Sequence, residues 1–201
     1  MGIPRNERNE RAVAHLRSGG VLIYPTETSY AIGCDATNAR AVARVFAAKG
    51  RVAEKSLPLI VASRAMAKRY ARWNAQAEVL ARVHWPGPLT LVLPYASGAR
   101  LARGVVAEDR TIALRVSSHP VARALCRRLG RPIVATSANI AGAPPAFTVA
   151  EVERFVRHLK SPPLVLTAGD LPPCPPSTIV ALTSPVPCIL RQGSIVIAPH
   201  I

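Results

Sequence analysis

Short apolar runs alternate along this chain with longer amphipathic stretches, and no other feature narrows the fold as much. Runs at 21–24, 59–62, 89–93, 111–116, 133–136, 164–167, 178–182 and 188–191 read as strands. Stretches at 7–17, 39–48, 65–71, 75–83, 120–128 and 149–159 carry apolar residues at helical spacing. Such interleaving is the pattern of an α/β domain rather than of a helix bundle or a sandwich. Asn38 stands before one predicted helix, and Thr148 with Glu151 has the spacing of a capping box. The late strands lie too close together for helical crossovers, so a mixed sheet with helices packed on it is expected. Prolines gather at Pro144-Pro145, Pro162-Pro163 and within 171–176, which read as rigid loops bordering strands. No repeat or linker divides the chain, so a single domain over 1–201 is expected.

With 201 residues, 49% of them hydrophobic and 18% charged, the chain is long enough to bury roughly 70% of its unfolded surface. No apolar run approaches the ~20 residues that span a bilayer, and the N-terminal stretch lacks the apolar centre of a signal peptide. A cytoplasmic protein without membrane contact is expected. Cys34, Cys126, Cys174 and Cys188 are far apart, without CxxC or zinc-spaced histidine, and read as thiols rather than as metal ligands or disulfides. Lys+Arg number 26 against 11 Asp+Glu, a formal charge of +15. Solvated arginine and an electrostatic footprint for polyanions both account for that excess.

The common phosphate cradles are missing: the sequence contains neither GxxxxGKS/T nor GxGxxG, and it also lacks HExxH and GxSxG. No DxD or ExxH pair suggests a metal cage, so any magnesium is expected to arrive on phosphate. Several segments nevertheless look specific. Tyr24 to Tyr30, YPTETSY, is a polar turn leaving an apolar strand, a place that suits either a small ligand or a plain hydroxyl-stabilised turn. Lys49-Gly50-Arg51, followed by Glu54-Lys55, places cations at a helix end, where the helix dipole alone would favour them. Trp85 to Thr90, WPGPLT, reads as a stiff turn into a strand with Trp85 packed beneath. Ala135 to Asn139, ATSAN, sets Ser137 and Asn139 on one irregular loop, where both can face one ligand or form an ordinary turn. The segments TIALR, PST and LRQG add Thr111, Arg115, Ser177 and Arg191 near strand ends.

Taken in order, YPTET, KGR, WPGPLT, TIALR, ATSAN, PST and LRQG resemble the YrdC-like family of threonylcarbamoyl-AMP synthases, over residues 20–193. The resemblance implies a single YrdC-like domain, a twisted mixed sheet flanked by helices around a concave basic cavity, without the C-terminal accessory domain of longer members. It implies condensation of L-threonine, bicarbonate or CO2, and ATP into threonylcarbamoyl-AMP with release of pyrophosphate. A downstream transferase complex would then carry the group to tRNA, next to the anticodon. The family's Lys-x-Arg and Ser-x-Asn tetrad falls on Lys49, Arg51, Ser137 and Asn139, the expected catalytic set. Lys49, Arg51, Lys55 and Arg191 are expected at the triphosphate and leaving group, with Thr111, Ser137 and Asn139 giving oriented hydrogen bonds to the nucleotide. Arg115 is expected at the threonine carboxylate, because a guanidinium binds that group bidentately. Thr28, Ser177 and the backbone at Ala135 would complete the amino-acid pocket, and no protein-bound metal is implied.

Some positions depart from the pattern. Ser29 and Ala31 replace Val and Gly of the usual YPTETVYGLG, Ala62 stands where some members have a threonine-binding His, and Ala181 replaces an Asp. The main competing reading is a double-stranded RNA or tRNA-binding module without synthase activity. With 4% aromatic residues its contacts would be led by phosphate and sensitive to salt. Carbamoyl transfer through an adenylate, as in hydrogenase maturation, is weaker because the segments usually fused to such domains are missing.

Overall fold

The computed structural model describes residues 5–50 and 56–197. In chain order the elements are α1 (Arg5–Arg17), β1 (Leu22–Pro25), β2 (Tyr30–Gly33), α2 (Ala39–Lys49), β3 (Leu59–Ile60), α3 (Arg64–Lys68), α4 (Ala75–His84), β4 (Leu89–Pro94), β5 (Thr111–Arg115), α5 (Pro120–Leu129), β6 (Ile133–Val134), β7 (Thr136–Ser137), α6 (Val149–Arg157), β8 (Leu164–Val165), β9 (Thr178–Ala181) and β10 (Cys188–Arg191). Each expected strand and helix is present. The β2 strand was not expected, and the expected 133–136 strand is divided at Ala135 into β6 and β7.

That division has an architectural cause. The expected single mixed sheet is two mixed sheets: a four-stranded one ordered β7-β2-β1-β8 and a six-stranded one ordered β10-β9-β4-β5-β3-β6. Chain passing through Ala135 leaves the larger sheet and enters the smaller. Around that seam, the Val134 amide donates to Cys34 O at 2.9 Å and the buried Tyr24 hydroxyl donates to Val134 O at 2.8 Å. Gly33 allows the approach, because a Cβ there would lie 1.6 Å from Val134 O.

Helix ends follow local chemistry. Asn38 Oδ1 accepts from the Ala41 amide at 3.0 Å, and α2 stops at Gly50 with φ 57°. Thr148 and Glu151 form the expected reciprocal cap on α6. Trp85 is buried as expected, its indole N–H donating to Leu89 O at 2.7 Å.

In the larger sheet one face makes core: Leu89, Leu91 and Leu93 of β4, Ile112 and Leu114 of β5, and Val180 of β9 are buried. The other face is half-open. Val92 pairs with Ala113 on one side and Ala181 on the other, all half-buried, so a row of small side chains floors that face. Strand periodicity puts Thr111 and Arg115 on the Ala113 side of β5, at its two ends and about 13 Å apart.

Candidate functional site

Thr26 builds the turn between β1 and β2. Its Oγ1 accepts from the amides of Thr28 and Ser29 and donates to Ser29 O at 2.7 Å. The hydroxyl-stabilised turn and the ligand-facing turn are therefore both realised, by different residues. With Thr26 holding the backbone, Glu27 and Thr28 reach Arg115 on the larger sheet: Arg115 Nη1 donates to Glu27 Oε1 at 3.1 Å and to Thr28 Oγ1 at 3.2 Å.

A second guanidinium completes this end of the sheet. Arg191 of β10 donates through Nε to Ser177 O and through Nη2 to Ser177 Oγ, both at 2.9 Å. Ser177 Oγ also lies 2.9 Å from Thr90 Oγ1. Partial burial of its guanidinium, and then the charge of Arg115, lower the pKa of Arg191, although the residue as a whole is exposed. Arg191 remains cationic, as an arginine does in a protein. Two cations close enough to disfavour each other's charge form a place that an anion stabilises. Gly193 lets the chain beyond β10 close over Pro176, since a Cβ there would lie 2.0 Å from Pro176 O. The buried Thr178 hydroxyl ties that closure by accepting from the Gly193 amide at 3.0 Å and donating to Ile195 O at 2.6 Å.

Lys49, Ser137 and Asn139 form a further cluster. Lys49 is the last residue of α2, yet it is buried, and Nζ donates to Ser137 O at 2.6 Å, Asn139 O at 2.9 Å and Asn139 Oδ1 at 2.7 Å. Complementing a helix dipole does not require such burial, because that interaction operates at exposed helix ends. Ser137 Oγ donates to Asn139 Oδ1 at 2.7 Å, and Asn139 Nδ2 donates to Ala143 O. The ammonium and the hydroxyl thus share one amide oxygen, and the loop keeps its shape through a buried charge. With its proton directed to Asn139, the Ser137 hydroxyl keeps its lone pairs as acceptors. Beside the loop, a cavity of about 300 Å³ is lined by Asn139, Ile140, Pro144, Arg154, Phe155 and His158.

The remaining expected residues are less concentrated. Thr111 donates to Asp109 Oδ1 at 2.7 Å and pairs with Pro94, at the end of β5 remote from Arg115. Pro94 borders a cavity of about 460 Å³ lined also by Arg72, Trp73 and Leu182, away from the arginine pair. At Ala135 the amide donates to Pro58 O at 2.9 Å, which leaves its carbonyl as the group it offers. Arg51 and Lys55 lie outside the described residues. Among the described residues no three His, Cys, Asp or Glu side chains gather to hold a metal ion. Residue spacing missed Glu27, Ser117 and Thr90. Glu27 was visible only as part of YPTET, and its link to Ser117 spans 90 positions.

The sequence profile of the Sua5/YciO/YrdC family, described as "Telomere recombination", matches residues 14–193. The chain belongs to the Sua5/YciO/YrdC family. A protein named threonylcarbamoyl-AMP synthase from Halorhodospira halophila is 46% identical over 149 residues, covering 74% of this chain and 77% of that one. One of the same name from Vibrio cholerae is 43% identical over 149 residues, covering 73% and 78%. Among solved structures, Sua5 of P. abyssi in complex with L-threonine superposes with a TM-score of 0.87 at 34% identity, covering 96% of this chain and 56% of that one. E. coli YciO superposes at 0.85 with 28% identity over 99% of this chain and 95% of that one. The chain thus shares its fold with these solved structures.

Proposed function

We propose that this chain is a threonylcarbamoyl-AMP synthase. The observation that carries the proposal is the meeting of Arg115 and Arg191 with the hydroxyls of Thr28 and Ser177, in a chain whose relatives bear that name. In this reading the Arg115 fork binds the carboxylate of L-threonine, while Thr28, Ser177 and the Ala135 carbonyl surround the rest of the amino acid. The threonine amine adds to CO2, or to bicarbonate with loss of water, giving a carbamate. A carbamate oxygen then attacks the α-phosphorus of ATP, the bond to the β-phosphate oxygen breaks, and pyrophosphate leaves.

This step brings one anion to another, so the protein's main contribution is to neutralise charge and position the reactants. Lys49, Arg51, Lys55 and Arg191 are the cations for the triphosphate and leaving group. Lys49 reaches a phosphate by exchanging one of its loop acceptors. Ser137, Asn139 and Thr111 orient the nucleotide, and Ser137, with its proton given to Asn139, suits a donor such as an amino group or ribose hydroxyl. Magnesium, when used, travels on the phosphates and adds further charge neutralisation there. The product would serve a transferase complex that modifies tRNA in the cytoplasm. Exposed Arg8, Arg11, Arg17, Arg127 and Arg128 on the packed pair α1 and α5 offer a phosphate-binding face for that RNA.

Incubation with ATP, L-threonine and 13C-bicarbonate tests the reading. A product with the mass of threonylcarbamoyl-AMP carrying one 13C is expected. ATP turnover without label incorporation would contradict it.

A further inference from the structure

Among the described residues, Glu27 places a carboxylate beside a pair of cations, Arg115 and Arg191. Its side chain is only 14% exposed; Oε1 accepts from Arg115 Nη1 at 3.1 Å and Oε2 accepts from Ser117 Oγ. Fully buried Ser117 is itself fixed, because its Oγ accepts at 3.1 Å from the amide of His119, the residue that caps α5. The second contact of Arg115 Nη1 is Thr28 Oγ1 at 3.2 Å, so both protons of that nitrogen have acceptors. Among the described residues, Nε and Nη2 of Arg115 donate to no protein group. Those two nitrogens form the edge of a guanidinium that grips a carboxylate bidentately.

We infer that Glu27 is a positioning residue: together with Ser117 it clamps Arg115 by Nη1 and presents the Nε–Nη2 fork to the carboxylate of the amino-acid substrate. This rests on the reading of Arg115 as the carboxylate ligand. Glu27 also sets the charge of the pocket. Among the described residues its carboxylate offsets one of the two guanidinium charges at this end of the sheet, where Arg115 lowers the pKa of Arg191 after burial. Without Glu27 the Arg115 side chain would lose its anchor to α5 and could rotate among staggered positions, so part of each binding event would go to ordering it.

The test combines KM and kcat for pyrophosphate release with calorimetric titration of L-threonine. The proteins are the wild type, Glu27→Gln, Glu27→Asp, Ser117→Ala, Arg115→Ala and the Glu27→Gln/Arg115→Ala double variant. Glu27→Gln should raise threonine KM and Kd by about tenfold or more, the loss expected for a charged hydrogen bond, while KM for ATP stays within about twofold. Ser117→Ala and Glu27→Asp should move the same two quantities in the same direction by less, and they carry the test should Glu27→Gln not fold. The double variant should be no worse than Arg115→Ala, because Glu27 acts through Arg115. Unchanged threonine affinity in the Glu27 and Ser117 variants, beside a large loss in Arg115→Ala, would overturn the inference alone. An additive loss in the double variant would also overturn it, pointing to a direct contact between Glu27 and substrate. Unchanged affinity in Arg115→Ala would overturn the carboxylate-ligand reading itself, and the Glu27 inference with it.

Discussion

Lys49 and Arg115 are both nearly buried cations, and each is held by oxygen atoms from a distant part of the chain. Burying a cation costs several kcal/mol unless acceptors compensate, so each depends on the geometry around it. Lys49→Met should therefore do more than remove a charge. It should release the 137–139 loop, lower the apparent Tm and reduce turnover together, as thermal melts and pyrophosphate release would register. The thiols behave differently. Burial, and for Cys34 also the neighbouring Asp35 charge, pushes Cys34 up to about 12, and burial pushes Cys126 up to about 12. Burial also raises the Tyr24 phenol. The folded state favours the neutral form of all three. For the two thiols that contribution is complete below the unfolded value near 9 and is lost as pH rises from there towards 12. Urea midpoints should thus fall steadily above pH 9, and a flat profile to pH 11 would contradict this. In native protein at pH 8, iodoacetamide should modify exposed Cys188 and spare Cys34 and Cys126, as peptide mass mapping would show. Local sequence pointed to Thr28, Arg115, Ser137 and Asn139, because hydroxyls and guanidiniums near strand ends stand out. It did not reveal Glu27 or Ser117, whose significance comes from pairing across the two sheets.

The elements were largely legible because their signals are local: apolar period, caps and proline-bounded turns. Only β2 escaped. Its sequence Tyr30-Ala-Ile-Gly is short and buried throughout, so it lacks the alternation that marks a half-buried strand, and it directly follows a polar turn. The break at Ala135 escaped for another reason. Residues 133–136 read as one strand, whereas the decision to change sheets is made by neighbours at Gly33 and Pro58. Gly33→Ala tests the seam. Its Cβ would collide with a backbone oxygen, and a stability loss of about 2–3 kcal/mol or more is expected in urea unfolding. Thr148→Ala should cost about 1 kcal/mol by the same measurement, since it removes half of a reciprocal cap. Within that cap the amides of Thr148 and then Phe147 hold the Glu151 carboxyl below the usual carboxylate range. Its contribution is therefore present above that range and lost as acid protonates it.

For the whole molecule, the sequence implied one sheet, and the chain forms two that meet at a seam and bring the β1–β2 turn over the open face of the larger sheet. This arrangement brings the β1–β2 turn and Ser177, just before β9, to the guanidiniums of Arg115 on β5 and Arg191 on β10. The formal charge of +15 is a property at the same scale. If the arginines on α1 and α5 serve RNA, tRNA affinity should fall steeply between 50 and 200 mM salt, with a log–log slope equal to roughly the number of phosphates neutralised. The central claim is that the arginine-lined cleft activates an amino acid as a carbamoyl adenylate. The most direct measurement is pyrophosphate release from ATP and bicarbonate with L-threonine, L-serine, L-valine or no amino acid, in the wild type and in Arg115→Ala. Release that depends on L-threonine and is lost in Arg115→Ala is the predicted result. Absence of release with every amino acid, from folded protein that still binds tRNA, would contradict the synthase account and leave the basic surface as the function.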